Sequence, residues 1–265
     1  MALGGGVLMI SLIRRILVGA TLLAVLMGAA LPDEPVRSPS ARPLERGVTA
    51  MHYHAPQEYQ AAPQIWAVVQ DPRGLLYFGT DGVIVEYDGV SWRQIAVPGA
   101  TVRALAVDAA GRIWVGGVGE LGYLEPDSTG TLQFVSLKAQ LPPDQQHAFA
   151  DVWRVIPTAH GVFFQTFDAL LRWDGRQLHV WPTKTSFTSL AEVNEQLYTV
   201  EIDIGLEMIV GDSLQPAPGG AALAAARKVY LHPYDAGRML VQQRDKLLSL
   251  YDGHTVTPFP TAADG

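Results

Sequence analysis

An all-β fold made of about five repeats of short strands is predicted by three features of this 265-residue chain. An aromatic-Asp-Gly tripeptide recurs at Tyr87-Asp88-Gly89, Trp173-Asp174-Gly175 and Tyr251-Asp252-Gly253. Pro126-Asp127 and Gly211-Asp212 occupy the equivalent places between them, so an aspartate returns about every 41 residues. The composition, with 26 Gly, 18 Pro and 17% charged residues, suits strands joined by tight turns. A period of this length, built from strands and turns, marks a β-propeller blade. One blade cannot bury both faces alone, so neighbours must stack.

The first two repeats align residue by residue. Ile65–Val69 reads as a strand, Asp71-Pro72-Arg73-Gly74 as a turn, and Leu75–Thr80 and Val83–Tyr87 as further strands. The second repeat runs Val102–Val107, Asp108-Ala109-Ala110-Gly111, Arg112–Gly116 and Leu121–Leu124. Asp-x-x-Gly turns tightly because Asp bonds its own turn backbone and Gly accepts positive φ. The third repeat has Val152–Ile156, a turn at His160-Gly161, and Val162–Thr166. The fourth turns at Asn194-Glu195 into Leu197–Val200. The fifth has Val229–Leu231, Asp235-Ala236-Gly237 and Met239–Val241. An insertion from Lys138 to Phe149, with Pro142-Pro143-Asp144, predicts a loop within the longest interval.

Residues 1–30 differ from the rest. Arg14 and Arg15 precede the apolar run Ile16–Met27, and Gly28-Ala29-Ala30 supplies small residues for cleavage after Ala30. This is the pattern of a secretory signal peptide, with an uncleaved membrane anchor as its rival. Either way the remainder is expected to be periplasmic or otherwise extracytoplasmic. Residues 31–50, with Pro32, Pro35, Pro39 and Pro43, read as an extended linker before propeller repeats at 51–265. The net charge of −7 argues against a nucleic-acid partner. The absence of cysteine excludes disulfides, thiolate metal sites and a cysteine nucleophile.

Gly-Arg-Ile-Trp-Val-Gly (111–116), preceded by Val-Arg-Ala-Leu-Ala-Val-Asp (102–108), resembles the two-component regulator propeller repeat. Gly119-Glu120-Leu121-Gly122-Tyr123-Leu124 with Phe134-Val135-Ser136-Leu137 is similar to a blade of the same group. The resemblance spans about residues 60–260 and rests on the spacing and number of short repeats. It implies the extracytoplasmic sensor region of a bacterial signalling protein, such as a hybrid histidine kinase. It also implies a seven-bladed ring, of which five blades here would be an incomplete, open part. The full-length protein would then be membrane-anchored and dimeric, with its output domain beyond this chain.

Several motifs invite a chemical reading. Gly117-Val118-Gly119-Glu120-Leu121-Gly122 matches G-x-G-x-x-G, but a dinucleotide site needs a helix to start there, and strand residues and Pro126 follow. Gly211-Asp212-Ser213-Leu214 matches a serine-hydrolase signature yet falls on the turn period, and the one Asp-x-x-His, Asp144–His147, precedes it. His52-x-His54 is two imidazoles without a third ligand in the sequence nearby, so no metal site is assigned. No carboxylate pair is assigned to acid–base work, no catalytic residue is named and no cofactor is expected.

One set stands out. Trp66, Arg103 and Trp153 hold like positions near the start of the first strand of three successive repeats. In a propeller that strand is innermost. The three would form a stacking and hydrogen-bonding platform for a sugar or planar anion, or the tryptophans would pack between blades. The expected function is ligand sensing, with a small molecule or oligosaccharide as ligand. The alternatives are a secreted propeller lyase and a non-catalytic interaction scaffold; fold alone does not choose among them.

Overall fold

The computed structural model describes residues 51–143, 145–146, 151–235, 237–244 and 248–259. The signal sequence, its cleavage site at Ala30 and the linker lie outside these residues. The chain divides into two units, Met1–His52 and Tyr53–Gly265. Among the described residues the second contains nineteen strands in antiparallel sheets.

A short helix, α1 (Pro56–Tyr59), comes first. Blade 1 follows as β1 (Ala67–Gln70), β2 (Leu76–Gly79), β3 (Asp81–Tyr87) and the first half of β4 (Trp92–Val107). The second half of β4 opens blade 2, which continues with β5 (Ile113–Gly117), β6 (Glu120–Pro126) and β7 (Leu132–Ser136). One unbroken strand thus leaves the rim of one blade and becomes the innermost strand of the next. Blade 3 is β8 (Arg154–Thr158), β9 (Gly161–Gln165), β10 (Ala169–Trp173) and β11 (Leu178–Pro182). Blade 4 is β12 (Phe187–Val193), β13 (Gln196–Glu201), β14 (Gly205–Val210) and β15 (Ser213–Pro216). Blade 5 is β16 (Val229–Pro233), β17 (Met239–Gln243), β18 (Ser249–Tyr251) and β19 (Val256–Pro258).

The repeated aspartates are turn formers. Asp88 Oδ1 accepts the N–H groups of Val90 and Ser91 at 2.8 and 2.7 Å. Asp174 takes Arg176 and Gln177 in the same way, and Asp252 takes His254 and Thr255. These bonds hold all three carboxylates below the usual range, Asp88 at about 2. The inner hairpins use the other device. Gly74 and Gly111 adopt φ of 91° and 82° while Asp71 and Asp108 accept the turn amides.

The core sits between blades. Tyr77, Ile84, Val102 and Val115 pack blade 1 on blade 2, and Trp114, Leu121, Val152 and Phe164 pack blade 2 on blade 3. Phe163, Leu170, Phe187 and Leu190 fill the third seam; Val200, Leu206, Val229 and Tyr251 fill the fourth. Close approach depends on small residues. A Cβ added to Gly79 would meet Val102 Cγ1 at 2.8 Å, and one on Gly116 would meet Val152 Cγ1 at 2.5 Å. The innermost strands pack in chain order from β1 to β4, β8, β12 and β16. Among the described residues no comparable packing returns from β16 to β1, so the five blades form an open, incomplete propeller.

Candidate functional site

The innermost strands enter their sheets in a common register. Ala67 pairs with Gly79, Ala104 with Gly116, Arg154 with Gln165, Ser189 with Val200 and Val229 with Gln243. The residue before each of these is Trp66, Arg103, Trp153, Thr188 or Lys228. Three of the five are the positions that the sequence singles out. Thr188 and Lys228 belong to the same set; a β-bulge sits at Thr188 between Phe187 and Ser189, as one sits at Arg103 between Val102 and Ala104.

Trp66, Arg103 and Trp153 meet. The Arg103 guanidinium carbon lies 3.7 Å from the Trp66 ring centroid and 5.0 Å from that of Trp153. Both distances fall within the range of a cation–π contact. Arg103 is largely buried, and its Nε donates to Asp151 at 3.2 Å. Trp66 stays exposed on its other side, while Trp153 is half-buried and tilts against Phe167 with ring centroids 5.7 Å apart. Arg103 Nη1 and Trp153 Nε1 are buried without a hydrogen-bond partner. Buried donors in that condition are costly, and a ligand acceptor is one way to satisfy them.

Trp153 also lines an open cavity of about 310 Å³ at the meeting of blades 3, 4 and 5. Trp153, Phe167 and Tyr230 supply its aromatic walls; Arg154, Arg227 and Lys228 supply cations. The described half of the insertion does not form a separate domain. Its Lys138–Gln140 turn leads to Leu141, which is buried with Leu137 and Val152 in the seam between blades 2 and 3. Residues 144 and 147–150 of it lie outside the described residues.

The glycine-rich and Gly-Asp-Ser-Leu motifs are structural. In the glycine-rich stretch, Gly117 ends β5 and Gly122 lies within β6, so a hairpin stands where a nucleotide site needs a helix. Gly211-Asp212 forms the turn between β14 and β15, and Asp212 receives Arg172 at 2.6 Å and Trp181 Nε1 at 3.0 Å. His54 packs edge-on against Tyr87 and Trp92, with Nδ1 2.9 Å from Glu58.

Residues 96–119, from the end of blade 1 through β5, match the family model "Two component regulator propeller". This stretch is a two-component regulator propeller repeat. Arg103 lies inside it. No curated protein matches the chain. Among solved structures, the chain is similar to the extracellular domain of the hybrid two component system BT3049 from B. thetaiotaomicron. That match has 16% identity and a TM-score of 0.58 over 78% of this chain and 31% of the other. The WD40 β-propeller domain of Doa1 matches at 16% identity and TM-score 0.56, over 74% and 68% of the two chains. Virginiamycin B lyase from Staphylococcus aureus matches at 12% and 0.54, over 76% and 73%. At these identities the likeness shows the β-propeller fold. The regulator propeller repeat adds the family resemblance that the fold does not carry.

Proposed function

We propose that this propeller is the ligand-sensing, extracytoplasmic portion of a bacterial signal-transduction protein of the two-component type. The observation that carries the reading is the convergence of Trp66, Arg103 and Trp153 at the entry of three successive inner strands, beside a cavity. Stacked aromatic faces with a buried cation suit recognition of a small molecule or oligosaccharide. The regulator propeller repeat around Arg103 and the secretory pattern of residues 1–30 support a sensor placed outside the cytoplasm. A full-length protein of this kind would be membrane-anchored and dimeric, with its output domain elsewhere. A secreted lyase would need an acid–base pair at this rim; the five entry positions hold two Trp, an Arg, a Thr and a Lys.

Calorimetric titration of the exported protein against a panel of sugars, oligosaccharides and small organic acids tests the reading. At least one compound is expected to bind, and Trp153→Ala to weaken it at least several-fold with a cooperative melt retained. No binding across the panel would leave the interaction scaffold as the better account. Mass spectrometry of the exported chain decides processing: a mature N-terminus at Leu31 places cleavage after Ala30, whereas retention of Arg14 and Arg15 in membranes means an anchor.

A further inference from the structure

The cavity beside Trp153 has a chemical bias. Arg154, Arg227 and Lys228 are all exposed along its wall, and among the described residues none of them forms an ion pair with a carboxylate. Among the described residues no carboxylate lines it, although the chain as a whole carries a net charge of −7. Two further lining residues hold buried polar atoms without partners: Trp153 Nε1, which can only donate, and the hydroxyl of Ser189, a residue 6% exposed. Gln165 adds no donor, because its amide nitrogen already donates to the carbonyls of Thr166 and Phe187. The available donors are therefore three cations, an indole N–H and a hydroxyl, set among the rings of Trp153, Phe167 and Tyr230.

We propose that this cavity, resting on the reading of the rim as a ligand seat, takes a small organic carboxylate with a flat apolar body. The carboxylate lies at Arg227 and Lys228, where charge-assisted hydrogen bonds are strong and no acidic group among the described residues lines the wall. The flat body lies against Trp153 and Phe167, and an acceptor on the ligand satisfies the indole N–H or the Ser189 hydroxyl. A volume of about 310 Å³ falls at the small end of ligand pockets, which favours a compact acid over a long oligosaccharide.

The test uses the whole chain and two matched probes, 2-naphthoate and the neutral 2-naphthamide, titrated by calorimetry at low and high salt. The expected result is at least tenfold tighter binding of the acid at low salt, with the preference shrinking as salt rises. The double substitution Arg227→Gln, Lys228→Met is expected to lower the affinity for naphthoate to that for the amide. Both residues are exposed, and an unchanged melt of the variant shows that the fold is intact. Equal binding of acid and amide overturns the carboxylate assignment and leaves the ligand seat standing. If neither probe binds, or if Trp153→Ala leaves the binding of both unchanged, the cavity is not the seat, and the placement of the site on this rim falls with it.

Discussion

Asp151 accepts the Nε–H of Arg103 at 3.2 Å across the seam between blades 2 and 3. It stands just ahead of the innermost strand of blade 3 and bridges to Val118, so the chain returning from the insertion is pinned beside Arg103. The pair fixes the guanidinium between two indole rings. Both partners keep some solvent contact, so the cost of breaking the pair is below that of a fully buried one. Asp151→Ala is expected to cost about 1–2 kcal/mol in urea unfolding. The same change made in an Arg103→Met background should cost clearly less. Equal losses in both backgrounds would mean that the two side chains are not coupled.

Gly116 is required by its neighbour. An added Cβ would lie 2.5 Å from Val152 Cγ1, a residue that is fully buried. Gly116→Ala is expected to destabilise by about 1–3 kcal/mol through overpacking of the seam. Gly237→Ala, where an added Cβ meets nothing within 4 Å, is the control and should change little. Differential scanning calorimetry of the two variants separates seam packing from a general glycine effect.

The turn aspartates differ in how much they hold. Asp108 accepts the amides of Ala110 and Arg112, and also Trp114 Nε1 at 2.8 Å. Trp114 is 4% exposed, so Asp108→Ala leaves a buried indole N–H unpaired, at a cost of about 1–3 kcal/mol. Asp174 serves only an exposed turn, and Asp174→Ala should cost less. The reverse order in chemical denaturation would show that turn closure, not the indole, sets the cost.

Glu207 carries a pH dependence. Burial, reinforced by the charge of nearby Glu201, pushes its pKa up from about 4.5 to about 7. Glu201 moves the other way: burial opposes its ionisation, but bonds from Thr183, Lys184 and Thr185 outweigh that and lower its pKa. For Glu207 the folded state binds the proton more tightly than the unfolded chain. Its contribution is therefore present below about pH 4.5 and is lost as the pH rises through about 7. The loss amounts to about 2–3 kcal/mol across that window. Glu207→Gln, read against the wild type in urea titrations from pH 5 to 8, should gain relative stability with rising pH. A constant difference would mean that Glu207 is ionised throughout.

The five blades were legible because turn chemistry is local. Asp88, Asp174 and Asp252 close their hairpins with amides two and three residues away, so their spacing in sequence is the spacing of blades in space. The same period placed Trp66, Arg103 and Trp153 at equivalent points on three inner strands. It could not say that Arg103 would lie between the two rings, or that Asp151, 48 residues on, would hold it. Lys228 and Ser189 were silent for a related reason. Their role depends on β12 and β16 lining one cavity, and spacing along the chain does not carry that. The sequence by itself determined the strands, the turns and the blade count, which arise from interactions within a few residues. Only the tertiary structure decided which side chains share a cavity, because packing between blades sets those distances and no local rule encodes them.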